Sequence, residues 1–458
     1  MNENGEYLVS DKGLYLNQTE LQNNNITILK GKQLKIYEAQ ISDYICSTHH
    51  FKIYEGDLYV RNGCQDIKVD KYEFYNWIYQ LAAQNGVTLM SSNCADILKE
   101  VMLRSLKFKG IPNGEEYTVF RNCCVSNLTG QIVSLPDDYF STICVEANYV
   151  TDPVLNHPVA DQFLYTISGG DPVLTKLHWT YWGYCLSSDA HAKALFFLYG
   201  PSGNNGKSTE LNLQKSLLSK GSVDFMPIRT LLSEFGKARL RNIRMEISAD
   251  EGELNLSARD IGYLKTFSGH DDLTANVKFK EFVSFPCTSK IVISSNNNIG
   301  MAYSNIDPAF ARRVVTVPYP VSIPKEQQDP YILEKLLAEK DAIATEAFRS
   351  YLALRENNYK FPNCTAYTMQ SSLFVPLNSA YNAIQVFSCT NCDFSDPDAF
   401  TSTFDLYMAF CAVYGSVFQD ITSFSQEFYR VNVEKLEKTR KRIGGQNNRG
   451  FYGVKLHA

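Results

Sequence analysis

The chain has 458 residues, which corresponds to about three domains of ~150 residues each. Hydrophobic residues make up 44% of the sequence and charged residues 20%, an ordinary balance for a globular protein with large cores. The net charge of −5 excludes a histone-like polycation, so contacts with nucleic acid must come from local basic patches. No apolar run reaches the ~18 residues that a membrane span needs, so we expect no span, and we expect no secretory leader because no apolar h-region opens the sequence.

The 12 cysteines are scattered along a chain that is too long to need disulfide staples, so we expect a reducing, intracellular compartment. The only close Cys-x-x-Cys pair is Cys389 and Cys392. Zinc would need two further ligands, and the nearest candidates, Cys364 and Cys411, lie at irregular spacing. We therefore predict ordinary free cysteines here.

The first 110 residues mix strand-like and helical patterns. Alternation of apolar and polar residues over 51–62 predicts a β-hairpin. Asp70 is a candidate cap for one helix, and a second helix is expected over 94–106. Asp66 and Asp70 do not form the strand-borne carboxylate pair that binds two metal ions in polymerases. A primase active site is therefore not predicted.

The next segment turns from strands to helices. Strands are expected over 117–150, and helices over 163–167 and 174–186. We place the large aromatic residues of the second helix in the core: Trp179, Trp182 and Tyr184. From residue 195 onward apolar strands alternate with helices, which favours an α/β fold.

A glycine- and asparagine-rich turn follows the apolar run 195–199, and Lys207 then opens a helical segment. This strand–loop–helix context is typical of a phosphate-binding loop, in which Lys207 reaches the phosphates and Ser208 binds Mg²⁺. The usual pattern has four residues before Gly-Lys, whereas five separate Gly200 from Gly206. The alternative is a simple glycine-rich turn. The predicted nucleotide-binding residues are Gly203, Asn204, Asn205, Gly206, Lys207, Ser208 and Thr209.

Three later strand boundaries carry residues that ATP hydrolysis needs. Asp250 would hold Mg²⁺, and Glu251 would orient and deprotonate the attacking water. Asn296, at the end of the next strand, can hydrogen-bond the γ-phosphate or that water. Arg312 and Arg313 are candidates for an arginine finger that acts on a neighbouring subunit. Each residue alone is more often an ordinary surface or loop residue, but their order after the loop favours a site for ATP and Mg²⁺.

These motifs resemble those of superfamily-3 helicases, specifically the phage/plasmid primase–helicase family related to the poxvirus primase-helicase. The resemblance is carried by motif A at 205–208, motif B at 248–252, motif C at 293–296 and a B′ motif at 264–280. Segments 120–130 and 163–186 also resemble the companion domain that precedes the ATPase core in this family. Cys123 and Ser126-Asn127 depart from the family's pattern there.

The resemblance implies an AAA+-like ATPase that assembles as a homo-hexameric ring with nucleotide between subunits. The B′ motif would form a hairpin in the central channel and track one DNA strand through Lys265, His270, Lys278 and Lys280. The alternative for Lys278 and Lys280 is a solvated strand face.

The resemblance also implies a C-terminal winged-helix domain. The tail is expected to form two helices and a hairpin over 423–458, with a helix–turn–helix unit beginning at 424–435. Its basic face and wing would include Arg440, Lys441, Arg442 and Arg449. From charge alone, a solvated basic surface is an equal alternative.

We therefore predict an α/β protein with an AAA+-like P-loop ATPase core, an α+β N-terminal region and a C-terminal winged-helix domain. The expected boundaries are 1–115 (N-terminal domain of unclear role), 116–190 (companion domain or collar), 191–360 (ATPase) and 361–458 (DNA-binding domain).

The functional hypothesis is a replicative DNA helicase and replication initiator of a phage, phage satellite or related mobile element. It would act in the bacterial cytoplasm on single- and double-stranded DNA, with replisome or loading partners. Two alternatives remain: a nucleic-acid motor that does not unwind, and an origin-binding protein that uses ATP only to assemble.

Overall fold

The computed structural model describes residues 9–10, 13–14, 30–200, 202–252, 254–275, 283–297, 299–301, 308–362, 374–376, 384, 387–388, 391–414, 418, 420–433, 435–443 and 446–457. Among the helices of these ranges, none has both the length and the apolar character needed to cross a membrane.

The N-terminal part of the chain forms a small α/β unit with its own core. Its elements are β1 (Val9–Ser10), β2 (Gly13–Leu14), α1 (Lys32–Thr48), β3 (Phe51–Tyr54), β4 (Asp57–Asn62), β5 (Gln65–Lys68), α2 (Lys71–Gln84), α3 (Ser91–Arg104) and β6 (Leu106–Lys107). A four-stranded sheet has the order β5-β4-β3-β6, and Trp77, Ile78 and Ile97 lie in the core.

Two local predictions for this unit are confirmed. The expected hairpin is β3–β4, and the Asp70 carboxylate caps α2 by accepting the backbone N–H of Tyr72 at 2.8 Å. Asp66 is buried and accepts two hydrogen bonds from Arg61, at 2.8 and 2.9 Å. Asp66 is thus part of an internal ion pair.

A second group of elements precedes the main sheet. It contains β7 (Tyr117–Val119), β8 (Cys124–Ser126), β9 (Ile132–Val133), α4 (Pro158–Ile167) and α5 (Pro172–Leu186). The three strands form an antiparallel sheet. Helix α5 begins at the Asp171 cap, and Trp179, Trp182 and Tyr184 are buried, as the sequence predicts.

The middle of the chain builds a five-stranded, fully parallel sheet in the order β11-β12-β16-β10-β18. The elements of this part are β10 (Leu195–Tyr199), α6 (Lys207–Ser216), β11 (Val223–Phe225), α7 (Ile228–Leu231), α8 (Glu234–Arg239), β12 (Met245–Glu251), β13 (Leu254–Leu256), α9 (Ala258–Ser268), β14 (Asp272–Ala275), β15 (Val283–Pro286), β16 (Lys290–Ser295), β17 (Ile299–Met301), α10 (Pro308–Ala311), β18 (Val314–Pro318), α11 (Ile332–Ala338) and α12 (Lys340–Glu356).

Both faces of this sheet are covered, as parallel sheets require. Phe196 and Leu198 of β10 belong to a core shared with α5 and α12, whereas Leu195 and Phe197 belong to a core shared with α9. The first of these cores also contains Phe120 and Leu164, so the elements before β10 pack directly on the sheet.

The strand order creates a switch point at β10. Strand β10 lies between β16 and β18, while β11, the next strand along the chain, lies at the far edge of the sheet. The carboxyl ends of β10, β12 and β16 therefore meet at one edge. In open α/β sheets, ligands bind at such a position.

Strands β14 and β15 form an antiparallel pair, with Ala275 opposite Val283. This agrees with the hairpin expected from the B′ motif. Lys278 and Lys280 lie outside the described residues.

The C-terminal part packs around an aromatic core of its own, which includes Phe387, Phe410, Phe424 and Phe451. Its elements, with the short strand that precedes them, are β19 (Phe374–Pro376), β20 (Cys392–Asp393), β21 (Phe400–Ser402), α13 (Thr403–Tyr414), α14 (Ile421–Val431), β22 (Glu437–Ile443), β23 (Gln446–Tyr452) and β24 (Lys455–Leu456). The strands β21, β23 and β22 form a sheet in that order.

The sequence predicts two helices after residue 423, and the prediction of the second helix is wrong. Residues 437–443 form strand β22, which pairs antiparallel with β23. Arginine and lysine favour helices by intrinsic propensity, but here strand pairing prevails, and Lys438 packs over the rings of Tyr429 and Phe451. The sequence signal for this hairpin is Gly444-Gly445, a dipeptide typical of tight turns.

Candidate functional site

The glycine-rich turn joins β10 to α6, and two of its glycines are required by geometry. Gly206 has a φ of +89°, and a Cβ there would lie 2.6 Å from Ile167 Cγ2. A Cβ on Gly200 would lie 2.2 Å from Asn205 Nδ2 and 3.0 Å from Lys207 Nζ. The turn thus folds around Gly200 as a compact loop that delivers Lys207 to the start of α6.

The loop accommodates one residue more than the usual pattern. Asn204 adopts a left-handed φ of 56°, and its carbonyl accepts the Ile323 N–H at 2.7 Å. The Gly203 carbonyl accepts the Ser322 hydroxyl at 3.0 Å. The buried Asn205 side chain donates to the Ser202 carbonyl at 2.5 Å. The longer loop is therefore anchored to the chain that follows β18.

Lys207 connects the ends of two neighbouring strands. Its ammonium donates to Asn296 Oδ1 at 2.7 Å and to the Gly200 carbonyl at 3.2 Å, and the side chain is buried. Asn296 follows β16 directly. Two residues predicted from separate motifs thus meet at the carboxyl edge of the sheet. The N–H groups at the start of α6 and the lysine charge together suit an anion.

A cleft of 1010 Å³ opens beside this loop. Residues 204–209 form one wall, which includes six of the seven predicted nucleotide-binding residues. The cleft also has an apolar side, formed by Val159 and Phe163 of α4 together with Ile323 and Ile332. Its size and its mixture of polar and apolar walls suit a small organic ligand with an anionic end.

Glu251 ends β12, one strand away from Asn296. The register between β12 and β16 shifts between Ser248 and Glu251, so that Glu251 pairs with Ser295. Glu251 Oε1 accepts the Ile228 N–H at 2.7 Å, which directs the carboxylate toward α7. Asp250 lies in the same irregular stretch of β12, and its side chain is outside the described part of the structure.

Arg312 and Arg313 lie where the parallel strands begin, whereas Lys207 lies where they end. Strand β18 runs parallel to β10, and Arg312 and Arg313 precede its amino end, whereas Lys207 follows the carboxyl end of β10. A five-residue strand spans about 16 Å. Arg313 donates to the Lys265 carbonyl of its own chain, while Arg312 is exposed. Neither arginine adjoins Lys207 within one chain.

The predicted DNA contacts have different surroundings. Lys265 lies on α9 and is half-buried. His270 has a φ of 63° at the base of the β14–β15 hairpin, and its Nε2 is 2.5 Å from Glu115 Oε1. His270 therefore makes a contact within the chain where the sequence suggested a contact with DNA. Arg449 is exposed on β23, opposite Arg440 of β22. The side chains of 440–442 are not described.

Sequence reasoning missed Glu210, one turn after Lys207. Its buried carboxylate accepts hydrogen bonds from Trp182 Nε1 and the Tyr319 hydroxyl, and it is 3.1 Å from His178 Nδ1. The Tyr319 ring also lies 5.8 Å from Lys207 Nζ. The signal in α5 is partial, because the buried His178 and Trp182 need an acceptor but do not indicate which residue supplies it.

Comparisons with other proteins give a fold but no established function. The sequence model of a family of unknown function (DUF5906) matches residues 198–313, from the end of β10 to the start of β18. A comparison with curated proteins gives no match.

Solved structures of the NrS-1 C-terminal region are similar to the chain over most of its length. An A-form apo structure has a TM-score of 0.50 and 13% sequence identity, and the match covers 90% of this chain and 98% of that one. A second apo structure, of NrS-1 residues 305–718, has a TM-score of 0.49 and 11% identity, with 93% and 100% covered. At this identity the first likeness establishes a shared mixed α/β fold.

Proposed function

We propose that the chain is an ATP-dependent DNA helicase of the superfamily-3 type that serves as the replication initiator of a phage or phage satellite. The observation that carries the proposal is the contact between Lys207 Nζ and Asn296 Oδ1 at 2.7 Å. This contact joins a glycine-rich loop at a helix N-terminus to the end of the adjacent strand. A triphosphate needs such a loop, and a γ-phosphate sensor needs a polar side chain at that strand end.

The cleft supports a nucleotide as the ligand. Its polar wall at 204–209 suits the phosphates and Mg²⁺, with the Ser208 hydroxyl as a metal ligand beside Asp250. The apolar lining residues, which include Val159, Phe163 and Ile332, suit a nucleobase. In this assignment α4 contributes to the base pocket, so that nucleotide contacts both the sheet domain and the helices before it.

Hydrolysis rather than binding alone is supported by two further features. Glu251 lies at the end of β12, beside the strand that carries Asn296, where a base for the attacking water is needed. Arg312 is exposed at the other edge of the sheet, where it cannot serve its own nucleotide. The position of Arg312 suits a ring in which each subunit completes its neighbour's site, and we propose a homo-hexamer.

The β14–β15 hairpin is the proposed DNA-tracking element. Lys278 and Lys280 belong to the segment between the two strands, and basic residues interleaved with Phe279 suit phosphate contact and base stacking. Contacts of this kind follow the backbone and carry no sequence preference.

The C-terminal elements support a winged-helix reader of the origin. Helices α13 and α14 are followed by the β22–β23 hairpin, and β21 completes the sheet. In this assignment the basic wing is the hairpin itself, with Arg440 and Arg449 on adjacent strands. Major-groove contacts from a helix with phosphate contacts from a wing would provide sequence preference.

The test of helicase activity is strand displacement from a forked DNA duplex with ATP or a non-hydrolysable analogue. We expect release of the labelled strand with ATP only. Hydrolysis of ATP without strand release would favour a motor that does not unwind. Assembly on ATP with neither hydrolysis nor release would favour an origin-binding protein.

Origin reading is tested by binding the full chain to origin duplex and to scrambled duplex. Truncation at Asp420 would split the C-terminal core, because Phe424 and Phe451 pack with Leu406 and Phe410. Arg449→Ala, on an exposed position, is the better variant. We expect it to weaken duplex binding and reduce its salt dependence while sparing ATP hydrolysis. Unchanged duplex binding would show that the wing does not contact DNA.

A further inference from the structure

A second group of polar side chains lies apart from the nucleotide cleft, where the segment before β7 meets the loop between α5 and β10. Glu115, Asp189 and His191 each offer one metal-ligand atom there, and these atoms lie within 4.8 Å of one another. His191 Nδ1 is 2.8 Å from Asp189 Oδ1 and 3.2 Å from Glu115 Oε2. None of these three residues lines the cleft or belongs to the motifs discussed above.

The separations fit a metal ion. In a tetrahedral site with bonds of about 2.1 Å, neighbouring ligand atoms are about 3.4 Å apart. Asp189 and His191 are two residues apart in one loop and converge on the same point. Carboxylate and imidazole donors together suit Zn²⁺ and other first-row divalent cations, whereas Mg²⁺ and Ca²⁺ prefer oxygen alone.

Asp189 is oriented by residues outside the cluster. Its side chain is 3% exposed, and its Oδ2 accepts the hydroxyls of Tyr351 at 2.7 Å and Tyr359 at 2.5 Å. Outer partners of this kind fix Oδ2. Oδ1, the oxygen that would bind a metal, accepts the His191 backbone N–H at 2.8 Å and lies 2.8 Å from His191 Nδ1.

A fourth donor adjoins the cluster. His270 Nε2 is 2.5 Å from Glu115 Oε1, and the His191 and His270 ring centroids are 6.0 Å apart. A rotation of the Glu115 carboxylate would bring both imidazoles onto one ion. The buried Arg244 and Lys290 interact with Glu115 at longer range. Their charge weakens the binding of a metal cation but does not occupy the ligand atoms.

We propose that Glu115, Asp189 and His191 bind a divalent transition-metal cation of the Zn²⁺ type, with His270 as the fourth donor. The ion joins three separate parts of the chain: the segment before β7, the loop before β10 and the base of the β14–β15 hairpin. It holds the hairpin base against the elements that precede the sheet. The site does not depend on the proposed function, because its test is metal binding.

The experiment is titration of the chelator-stripped full chain with Co²⁺, followed by displacement with Zn²⁺. We expect one equivalent to give the visible bands of a tetrahedral site, without the near-ultraviolet band of thiolate ligation. Zn²⁺ should also raise the melting temperature of the wild-type chain.

His191→Ala is the decisive variant, because its side chain is 63% exposed and its loss should leave the fold intact. We expect it to weaken Co²⁺ binding at least about 100-fold. Loss of a residue that only hydrogen-bonds a metal ligand already lowers metal affinity roughly 10–100-fold. His50→Ala, which removes an exposed imidazole elsewhere, is the matched control and should bind like wild type. Equal binding by wild type and His191→Ala would overturn the proposal. If wild type takes up neither Co²⁺ nor Zn²⁺, the proposal is also overturned, and the cluster is an ion-pair network.

Discussion

The ammonium of Lys207 donates a hydrogen bond to Asn296 Oδ1 at 2.7 Å, across the boundary between β10 and β16. The lysine side chain is buried and also donates to the Gly200 carbonyl at 3.2 Å. When a triphosphate enters the cleft, both side chains would face it. In our proposal Lys207 then bonds the phosphates and Asn296 senses the γ-phosphate.

The role of Asn296 is tested by Asn296→Ala. We expect ATP hydrolysis to slow by roughly 10–100-fold, since one hydrogen bond to charge in the transition state is lost. Binding of a fluorescent ATP analogue should persist because Lys207 and the loop remain. Asn297→Ala removes the neighbouring exposed amide and is the matched control. An Asn296→Ala variant that hydrolyses ATP like the control would rule out the sensor role.

Glu251 is the predicted base, so Glu251→Gln should bind ATP and hydrolyse it on the order of 10²–10⁴-fold more slowly. The substitution keeps shape and keeps an acceptor for the Ile228 N–H, which Glu251 Oε1 binds at 2.7 Å. Single-turnover hydrolysis and nucleotide titration separate the two effects. If Asp250→Asn gives this phenotype and Glu251→Gln does not, the two roles are reversed.

Arg312 should act on the neighbouring subunit's nucleotide. Mixing Arg312→Ala chains with Lys207→Ala chains should restore part of the ATPase activity, because some interfaces then pair an intact loop with an intact arginine. Arg313→Ala is the comparison, since Arg313 already binds the Lys265 carbonyl and should act by weakening the fold. Failure of the Arg312 mixture to recover activity, with co-assembly shown by mass, would contradict the assignment.

Glu246 gives a prediction about stability and pH. Burial first, and then the nearby Asp224 carboxylate, raise its pKa from 4.5 to about 8, against the opposing effect of Arg239. The fold therefore favours the protonated carboxyl. Its contribution to stability is complete below pH 4.5 and is lost as the pH rises toward 8.

Glu246→Gln stays neutral at every pH, so we expect it to melt higher than wild type at about pH 8–9 and with a smaller difference near about pH 5. Thermal unfolding followed by circular dichroism at both pH values makes the measurement. The exposed Glu356→Gln is the control and should show no such trend. A difference between Glu246→Gln and wild type that does not grow with pH would contradict the assigned pKa.

The central sheet was the most predictable part of the chain. The apolar runs in β10 and β16 are those expected of strands covered on both faces. The run in β10 leads into the glycine-rich loop, and β16 is followed directly by Asn296. Because β10 and β16 run parallel, their carboxyl ends lie side by side at one edge of the sheet. The Lys207–Asn296 contact therefore follows from local patterns plus a general rule of parallel sheets.

Contacts that depend on long-range packing were not predictable. The Glu210 acceptor of Trp182 and Tyr319 looks like an ordinary helical glutamate, because its burial arises only when α5 packs against α6. Likewise, nothing near His270 in the sequence indicates that it meets Glu115. Strand β22 was mistaken for a helix because its lysines and arginines carry no apolar alternation that would reveal strand pairing.

ATP hydrolysis at Lys207 is the most direct test of the proposed nucleotide site, measured as steady-state turnover with Mg²⁺ and single-stranded DNA. We predict that wild type turns over ATP and that Lys207→Ala loses at least about 100-fold, because the main phosphate-facing charge is removed. Lys220→Ala removes an exposed lysine beyond α6 and should match wild type. Turnover by Lys207→Ala at the wild-type rate would contradict the assignment of this loop as the nucleotide site.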